Sequence, residues 1–204
     1  MKVITEIPTI RLVWPDTGVE LDLAALQGLW TADMYLKLTE QTNHLLEFTD
    51  GMIEVLPMPT RSHQRMLAYL YGLLVALVYP QGEVLFAPLR LQIRAHKYRE
   101  PDLLLLLDRT DPRNQETCWL GADLVVEIVS PDNPERDTVV KRGDYAEVGI
   151  PEYWIVNPLT ETVTVLTLVD TLYMEHGVFA RGEQAHSQLL TSFVVRVDAI
   201  FDAQ

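Results

Sequence analysis

The sequence predicts an α/β protein in which helices flank a central mixed β-sheet and a β-rich extension follows at the C-terminus. Residues 63–79 place apolar side chains at helical spacing, which indicates a helix with one core face. Residues 102–107 and 123–129 are largely apolar runs, typical of central strands covered on both faces. The order of a helix, several strands, a second helix, a strand and a β-rich tail is that of an α/β architecture.

The N-terminal part is predicted to contain an irregular lead-in and a short helix. Residues 1–30 mix prolines with acidic residues and carry one candidate edge strand at residues 9–13. Thr31 can cap a helix over residues 32–39, whose first turn holds Asp33, where the helix dipole favours a negative charge.

A hairpin and a long helix are predicted next. The turn signal Thr49-Asp50-Gly51 joins strands at residues 45–48 and 52–56. Ser62 can then cap the helix over residues 63–79.

Beyond residue 82 the pattern favours strands, with one further helix that stops at Gly149, a residue type favoured after a helix C-terminus. Strands are predicted at 84–87, 89–93, 102–107, 123–129, 153–156, 162–169, 172–176 and 194–197, and the helix at 135–148. Residues 1–204 are expected to form one domain, with a lead-in at 1–30, a core at 31–158 and a β-rich tail at 159–204.

The negative charge of the chain is unevenly placed. The 204 residues have a formal net charge of −13 and include one cysteine, Cys118, which excludes an internal disulfide. Residues 61–142 hold equal numbers of basic and acidic residues, so the flanks carry the whole excess. Because an acidic surface weakens non-specific DNA binding, any activity on DNA is expected to need divalent metal, modest salt or a partner subunit.

No membrane segment or secretion signal is expected. Residues 1–8 carry Glu6 and lack a long apolar core, so they are not expected to act as a signal peptide. Residues 66–79 are apolar but too short and too interrupted to span a bilayer. Together with the single cysteine, these features favour a cytoplasmic protein.

Two carboxylates and a lysine form the candidate site. Glu127 lies in the apolar run of residues 122–129, where an unpaired carboxylate would cost several kcal/mol, so it is expected to have a partner. Asp102 stands directly before another apolar strand, and Lys141 follows in the predicted helix. Mg²⁺ needs few protein carboxylates, and a metal with a nearby lysine can support phosphodiester hydrolysis.

Several stretches together resemble a known family. They are Glu47 to Gly51 leading to Glu54 and His63, Glu100-Pro101-Asp102, residues 123–131, Arg136-Asp137 through Lys141 to Tyr145, and residues 149–156. In this order and spacing they resemble the bacterial "putative restriction endonuclease" family, formerly of unknown function, within the PD-(D/E)xK nuclease superfamily. The resemblance covers residues 31–158 and depends mainly on the last three stretches.

The resemblance implies a restriction-endonuclease-like core and metal-dependent hydrolysis of DNA. It implies that Asp102 and Glu127 bind Mg²⁺ or Mn²⁺, with Glu54 as a further candidate ligand. The candidate catalytic residues are then Asp102, Glu127, Lys141 and His63.

One position departs from the superfamily pattern. Val129 stands two residues after Glu127, where a lysine is usual, and Lys141 on the following helix is the expected substitute. Asp137, four residues before Lys141, can hold it through an i,i+4 contact. A purely structural salt bridge between Glu127 and either Arg136 or Lys141 stays open on the sequence alone.

The other candidates also have structural interpretations. Asp102 can belong to a turn before its strand, and His63 can be a surface histidine at a helix start. Glu54 can face outward from an edge strand beside its hairpin neighbour Glu47.

Three function hypotheses are compatible with these features. The first is a metal-dependent endonuclease acting on DNA, and the second is an inactive nuclease-fold module for DNA binding or assembly. The third is a hydrolase of small phosphoesters, to which the negative charge presents no obstacle. Residues 162–201 are expected to build a homodimer interface, which would suit cleavage of two strands.

Overall fold

The structure is a computed structural model that describes residues 11–14 and 19–203. The strands are β1 (Arg11–Trp14), β2 (Val19–Asp22), β3 (Leu46–Thr49), β4 (Met52–Val55), β5 (Glu83–Phe86), β6 (Arg90–Arg94), β7 (Lys97–Arg99), β8 (Leu103–Leu106), β9 (Cys118–Trp119), β10 (Leu124–Ile128), β11 (Glu152–Asn157), β12 (Thr162–Val169), β13 (Leu172–Ala180), β14 (Gln184–His186) and β15 (Val194–Arg196). The helices are α1 (Ala32–Thr39), α2 (Arg61–Val78), α3 (Lys141–Glu147) and α4 (Val197–Phe201), with a 3-10 turn at Leu23–Leu26 and a π-helical turn at Arg136–Val140. Two compact units are formed, Met1–Met58 with Arg94–Arg99 and Pro59–Ile93 with Glu100–Gln204.

The first unit packs around a cluster of aromatic rings. Strand β3 pairs antiparallel with β4 and with β7. Tyr35 of α1 is fully buried, and its ring centroid lies 5.3 Å from that of Phe48 and 5.4 Å from that of Tyr98. The Tyr35 hydroxyl donates to the Leu46 carbonyl at 2.8 Å. These contacts fix α1 on the hairpin, and α1 begins after the predicted cap at Thr31.

The hairpin turn between β3 and β4 requires glycine at position 51. Asp50 and Gly51 have φ angles of 47° and 87°, which suit a two-residue hairpin turn. A Cβ atom on Gly51 would lie 2.7 Å from the Gly28 carbonyl oxygen.

We expect Gly51→Ala to lower the free energy of unfolding by ~1–3 kcal/mol, measured by urea denaturation. Gly72→Ala is the control, because a Cβ there meets no atom within 4 Å, and inside α2 it should raise stability by up to ~1 kcal/mol. Equal midpoints for Gly51→Ala and the wild type would contradict the prediction.

The second unit is built on a six-stranded mixed sheet. From one edge to the other, the strand order is β13-β12-β11-β10-β8-β5. Strands β10 and β11 run parallel, whereas the other neighbouring pairs are antiparallel. The predicted α/β class with a central mixed sheet is therefore confirmed.

Both faces of this sheet are covered, which explains the apolar runs in its central strands. On one face, α2 packs against a cluster that includes Leu103, Leu105, Leu124, Val126 and Ile128. On the other face, a cluster with Tyr145 of α3 includes Leu104, Leu106, Val125, Val129 and Tyr153. Since side chains alternate along a strand, the position between Val126 and Ile128 faces α3.

Helix α2 begins earlier than the sequence indicated. Thr60 is its cap, because the Thr60 side chain accepts the backbone N–H of His63 at 3.2 Å. The prediction that Ser62 caps this helix is therefore wrong. Within the described residues, no helix combines the length and apolar character needed to cross a bilayer.

Other boundaries also differ from the prediction. The expected continuous helix over 135–148 is a π-helical turn followed by α3, and the last predicted strand ends where α4 begins. Four short strands, β2, β7, β9 and β14, were not predicted. Residues 9 and 10 of the expected edge strand lie outside the described residues, and β1 pairs with β2 in the expected lead-in. The assignment of residues 1–204 to one domain stays a prediction.

Candidate active site

Strands β8 and β10 bring the two predicted carboxylates to the same end of the sheet. Their antiparallel register places Leu103 opposite Val126, so Asp102, directly before β8, lies beside the C-terminal part of β10. The backbone N–H of Ile128 donates to Oδ2 of Asp102 at 2.7 Å. This hydrogen bond links Asp102 to the strand that carries Glu127, so Asp102 is more than a turn residue before β8.

Glu127 is buried, with 2% of its surface exposed, and it accepts two hydrogen bonds on one oxygen. Lys141 Nζ donates to Oε1 at 2.8 Å, and the Tyr145 hydroxyl donates to the same atom. Among the described residues, no donor reaches Oε2 of Glu127. The buried carboxylate of Glu127 therefore has Lys141 as a partner. It also accepts from Tyr145, to which the sequence assigned no role.

Lys141 lies between two buried carboxylates. Its Nζ atom is 3.2 Å from Oδ1 of Asp137 in addition to the contact with Glu127, and the three side chains are at most 5% exposed. Lys141 is the first residue of α3, and its backbone N–H donates to the Arg136 carbonyl across the π-helical turn. The predicted i,i+4 contact with Asp137 is present, and the lysine points into the protein rather than into solvent.

His63 extends the cluster through Asp102. Its Nε2 atom lies 3.1 Å from Oδ2 of Asp102, and its side chain is only 16% exposed, so it is not a surface histidine. Its Nδ1 atom is buried and has no hydrogen-bond partner among the described residues. Burial alone would lower the pKa of His63, but the hydrogen bond and the charge of Asp102, with the charge of Asp137, raise it overall.

The surroundings of Glu127 disfavour its charged form. Burial is the largest cause that raises the pKa of Glu127, and the charges of Asp102 and Asp137 raise it further. The Lys141 ammonium acts in the opposite direction. Lys141 contacts Glu127 and Asp137, whereas Asp102 contacts His63, and a divalent cation beside Glu127 would favour the charged form of this carboxylate.

Asp102 and Glu127 each have one carboxylate oxygen that could contribute to binding such a cation. Asp102 uses Oδ2 for its two contacts and Glu127 uses Oε1, so in the described part of the chain Oδ1 and Oε2 carry no protein donor. No group of three His, Cys, Asp or Glu side chains in the described ranges could hold a metal alone. Mg²⁺ needs only one or two carboxylates, with water and phosphate oxygens as its other ligands, so this pair fits.

Glu54 lies elsewhere in the chain. It is an exposed residue of β4 in the first unit and stands directly opposite Glu47 in the hairpin. Its assignment as a metal ligand stays a prediction. Tyr145 is the residue that sequence reasoning missed, although its spacing of four residues from Lys141 on one helix was a usable signal.

The arrangement of sheet and helices is shared with a protein of known structure. The chain is similar to the crystal structure of a protein described as a putative nuclease belonging to DUF820 from Anabaena variabilis, with a TM-score of 0.70 and 21% sequence identity. The similarity covers 85% of this chain and 98% of that chain, and it concerns the fold.

A family model matches most of the chain as well. The model Uma2, described as "Putative restriction endonuclease", matches residues 32–198, and the chain belongs to this family. The expected resemblance to the "putative restriction endonuclease" family is thereby confirmed. No curated protein is significantly similar in sequence to the chain.

Proposed function

We propose that this protein is a metal-dependent endonuclease that hydrolyses phosphodiester bonds of DNA. The observation that carries the proposal is the pair of buried or half-buried carboxylates, Asp102 and Glu127, each with one oxygen held by the protein and one without a protein donor. Membership of a nuclease family supports the reaction class. Asp102 and Glu127 would hold Mg²⁺ or Mn²⁺.

The surrounding residues have separate roles in this proposal. When bound, the metal ion supplies an activated water and polarises the phosphate. Lys141 fixes Glu127 and contributes the positive charge that stabilises charge developing on the phosphate. His63 uses Nε2 for its contact with Asp102 and keeps Nδ1 buried, so we assign it the role of orienting Asp102.

The net charge of −13 favours one competing function, a hydrolase of small phosphoesters, because such a substrate does not depend on a basic surface. A polymeric substrate requires the metal to neutralise the negative charge of the site, because the acidic protein repels DNA and added salt only screens that repulsion. For double-strand cleavage we further propose a homodimer formed through residues 162–201.

The test is plasmid nicking at low salt with Mg²⁺ or Mn²⁺, before and after chelation, beside bis(4-nitrophenyl) phosphate as a small substrate. We expect nicking only with metal, and at least the ~10–100-fold loss that removal of a metal-supporting contact causes for Asp102→Asn. Asp108→Asn is the matched control, since Asp108 is an exposed acid just after β8. Hydrolysis of the small substrate without plasmid nicking would favour the competing function, and metal-independent nicking would contradict the proposal.

A further inference from the structure

Tyr145 lies one helical turn after Lys141 and reaches the same atom. Its side chain is fully buried, and its ring packs edge-on against Tyr153 with centroids 5.0 Å apart at 80°. The ring belongs to the core cluster between α3 and the sheet. The position of the hydroxyl is therefore set by a packed ring and not by a flexible stem.

The Tyr145 hydroxyl and the Lys141 ammonium both donate to Oε1 of Glu127. A carboxylate oxygen has two lone-pair directions, so these donors occupy Oε1 and leave Oε2 with both of its own. Lys141 alone cannot define this orientation, because its ammonium ends a flexible four-carbon stem and is shared with Asp137 at 3.2 Å. The rigid phenol of Tyr145 fixes the orientation of the Glu127 carboxylate that Lys141 leaves undefined.

We propose that Tyr145 is a positioning residue that fixes the rotation of the Glu127 carboxylate and so presents Oε2 to the metal ion. This inference rests on the proposed function. Tyr145 lies outside the metal-ligand pair. Its role as a positioning residue explains why the hydroxyl of a buried tyrosine donates to a carboxylate that already accepts from a lysine. Residues that orient metal ligands commonly affect metal affinity as strongly as activity.

The experiment measures Mn²⁺ binding by electron paramagnetic resonance for the wild type, Tyr145→Phe, Tyr173→Phe and Glu127→Ala. Phenylalanine keeps the packed ring and removes only the hydroxyl, and thermal unfolding of each variant verifies the fold. Tyr173→Phe is the matched control, because Tyr173 is buried in the same core cluster and its hydroxyl donates to the Ile150 carbonyl at 2.7 Å. We expect Tyr145→Phe to bind Mn²⁺ about 10–100-fold more weakly, and Tyr173→Phe to bind it like the wild type.

A kinetic measurement distinguishes a loss of metal affinity from a general loss of catalytic activity. At saturating Mn²⁺, plasmid nicking by Tyr145→Phe should recover most of the wild-type rate, because the loss lies in metal affinity. Wild-type affinity in Tyr145→Phe beside lost binding in Glu127→Ala would overturn this inference and leave the proposed function standing. Equal weakening in both tyrosine variants would also overturn it. A wild-type protein that binds no Mn²⁺ would overturn the proposed function together with the inference.

Discussion

Replacing Lys141 with methionine is expected to lower the free energy of unfolding by about 3–5 kcal/mol and DNA cleavage by about 10²–10³-fold. Lys141 Nζ lies 2.8 Å from Glu127 and 3.2 Å from Asp137, and these side chains are at most 5% exposed. Methionine keeps most of the apolar stem but removes the charge, which leaves two buried carboxylates facing each other. Urea denaturation and plasmid nicking measure the two losses separately.

A double variant tests whether the uncompensated charge causes the loss of stability. Adding Glu127→Gln to Lys141→Met removes the buried negative charge that the lysine contacted, so the double variant should be more stable than Lys141→Met alone. The expected coupling is about 0.5–3 kcal/mol. Lys37→Met is the control, because Lys37 is exposed on α1. A Lys141→Met protein as stable as the Lys37→Met protein would refute the prediction.

Replacing Glu152 with alanine is expected to lower the free energy of unfolding by about 3–5 kcal/mol, because Glu152 holds a loop of the β-rich extension through hydrogen bonds. Glu152 is 1% exposed, and its Oε1 atom accepts from Trp154 Nε1 and Ser187 Oγ, each at 2.6 Å. Its Oε2 atom accepts the backbone N–H groups of Gln188 at 2.7 Å and Leu189 at 2.8 Å. Alanine would leave these four donors without their acceptor.

The glutamine variant distinguishes the hydrogen bonds from simple packing. Glu152→Gln keeps the shape but turns one acceptor group into a donor, so it should lose an intermediate amount of stability. Glu175→Ala on the exposed side of β13 should change stability by no more than about 0.5 kcal/mol. Urea midpoints for Glu152→Ala and Glu175→Ala that coincide would show that the buried carboxylate contributes nothing.

The strongly patterned elements of this fold could be predicted from the sequence. The helix α1 and the strand β12 were predicted with the bounds that the structure has, because caps and turn residues mark their ends. The strands β9 and β14 span two or three residues and exist through pairing with β6 and β15, which leaves no periodic pattern to read. The true start of α2 at Arg61 was missed because Thr60 and Ser62 are both acceptable caps.

The candidate site was partly readable as well. Glu127 stood out because a carboxylate inside an apolar strand needs a partner. Which partner it has could not be read, because the direction of Lys141 depends on the π-helical turn that rotates α3 relative to a regular helix. The contact between His63 and Asp102 joins residues 39 apart in sequence, and no local pattern encodes it.

Val129, directly after β10, is available for packing, because the positively charged group of the cluster comes from a helix. Its side chain is 1% exposed and belongs to the core cluster under α3. Glu127 forms its ion pair instead with Lys141, which lies 14 positions later in the sequence. A linear motif scan that demands a lysine two residues after the glutamate will overlook chains built in this way. A search template written in three dimensions, as a carboxylate at a strand start, a second one on the antiparallel neighbour and an ammonium at a helix start, would retrieve them.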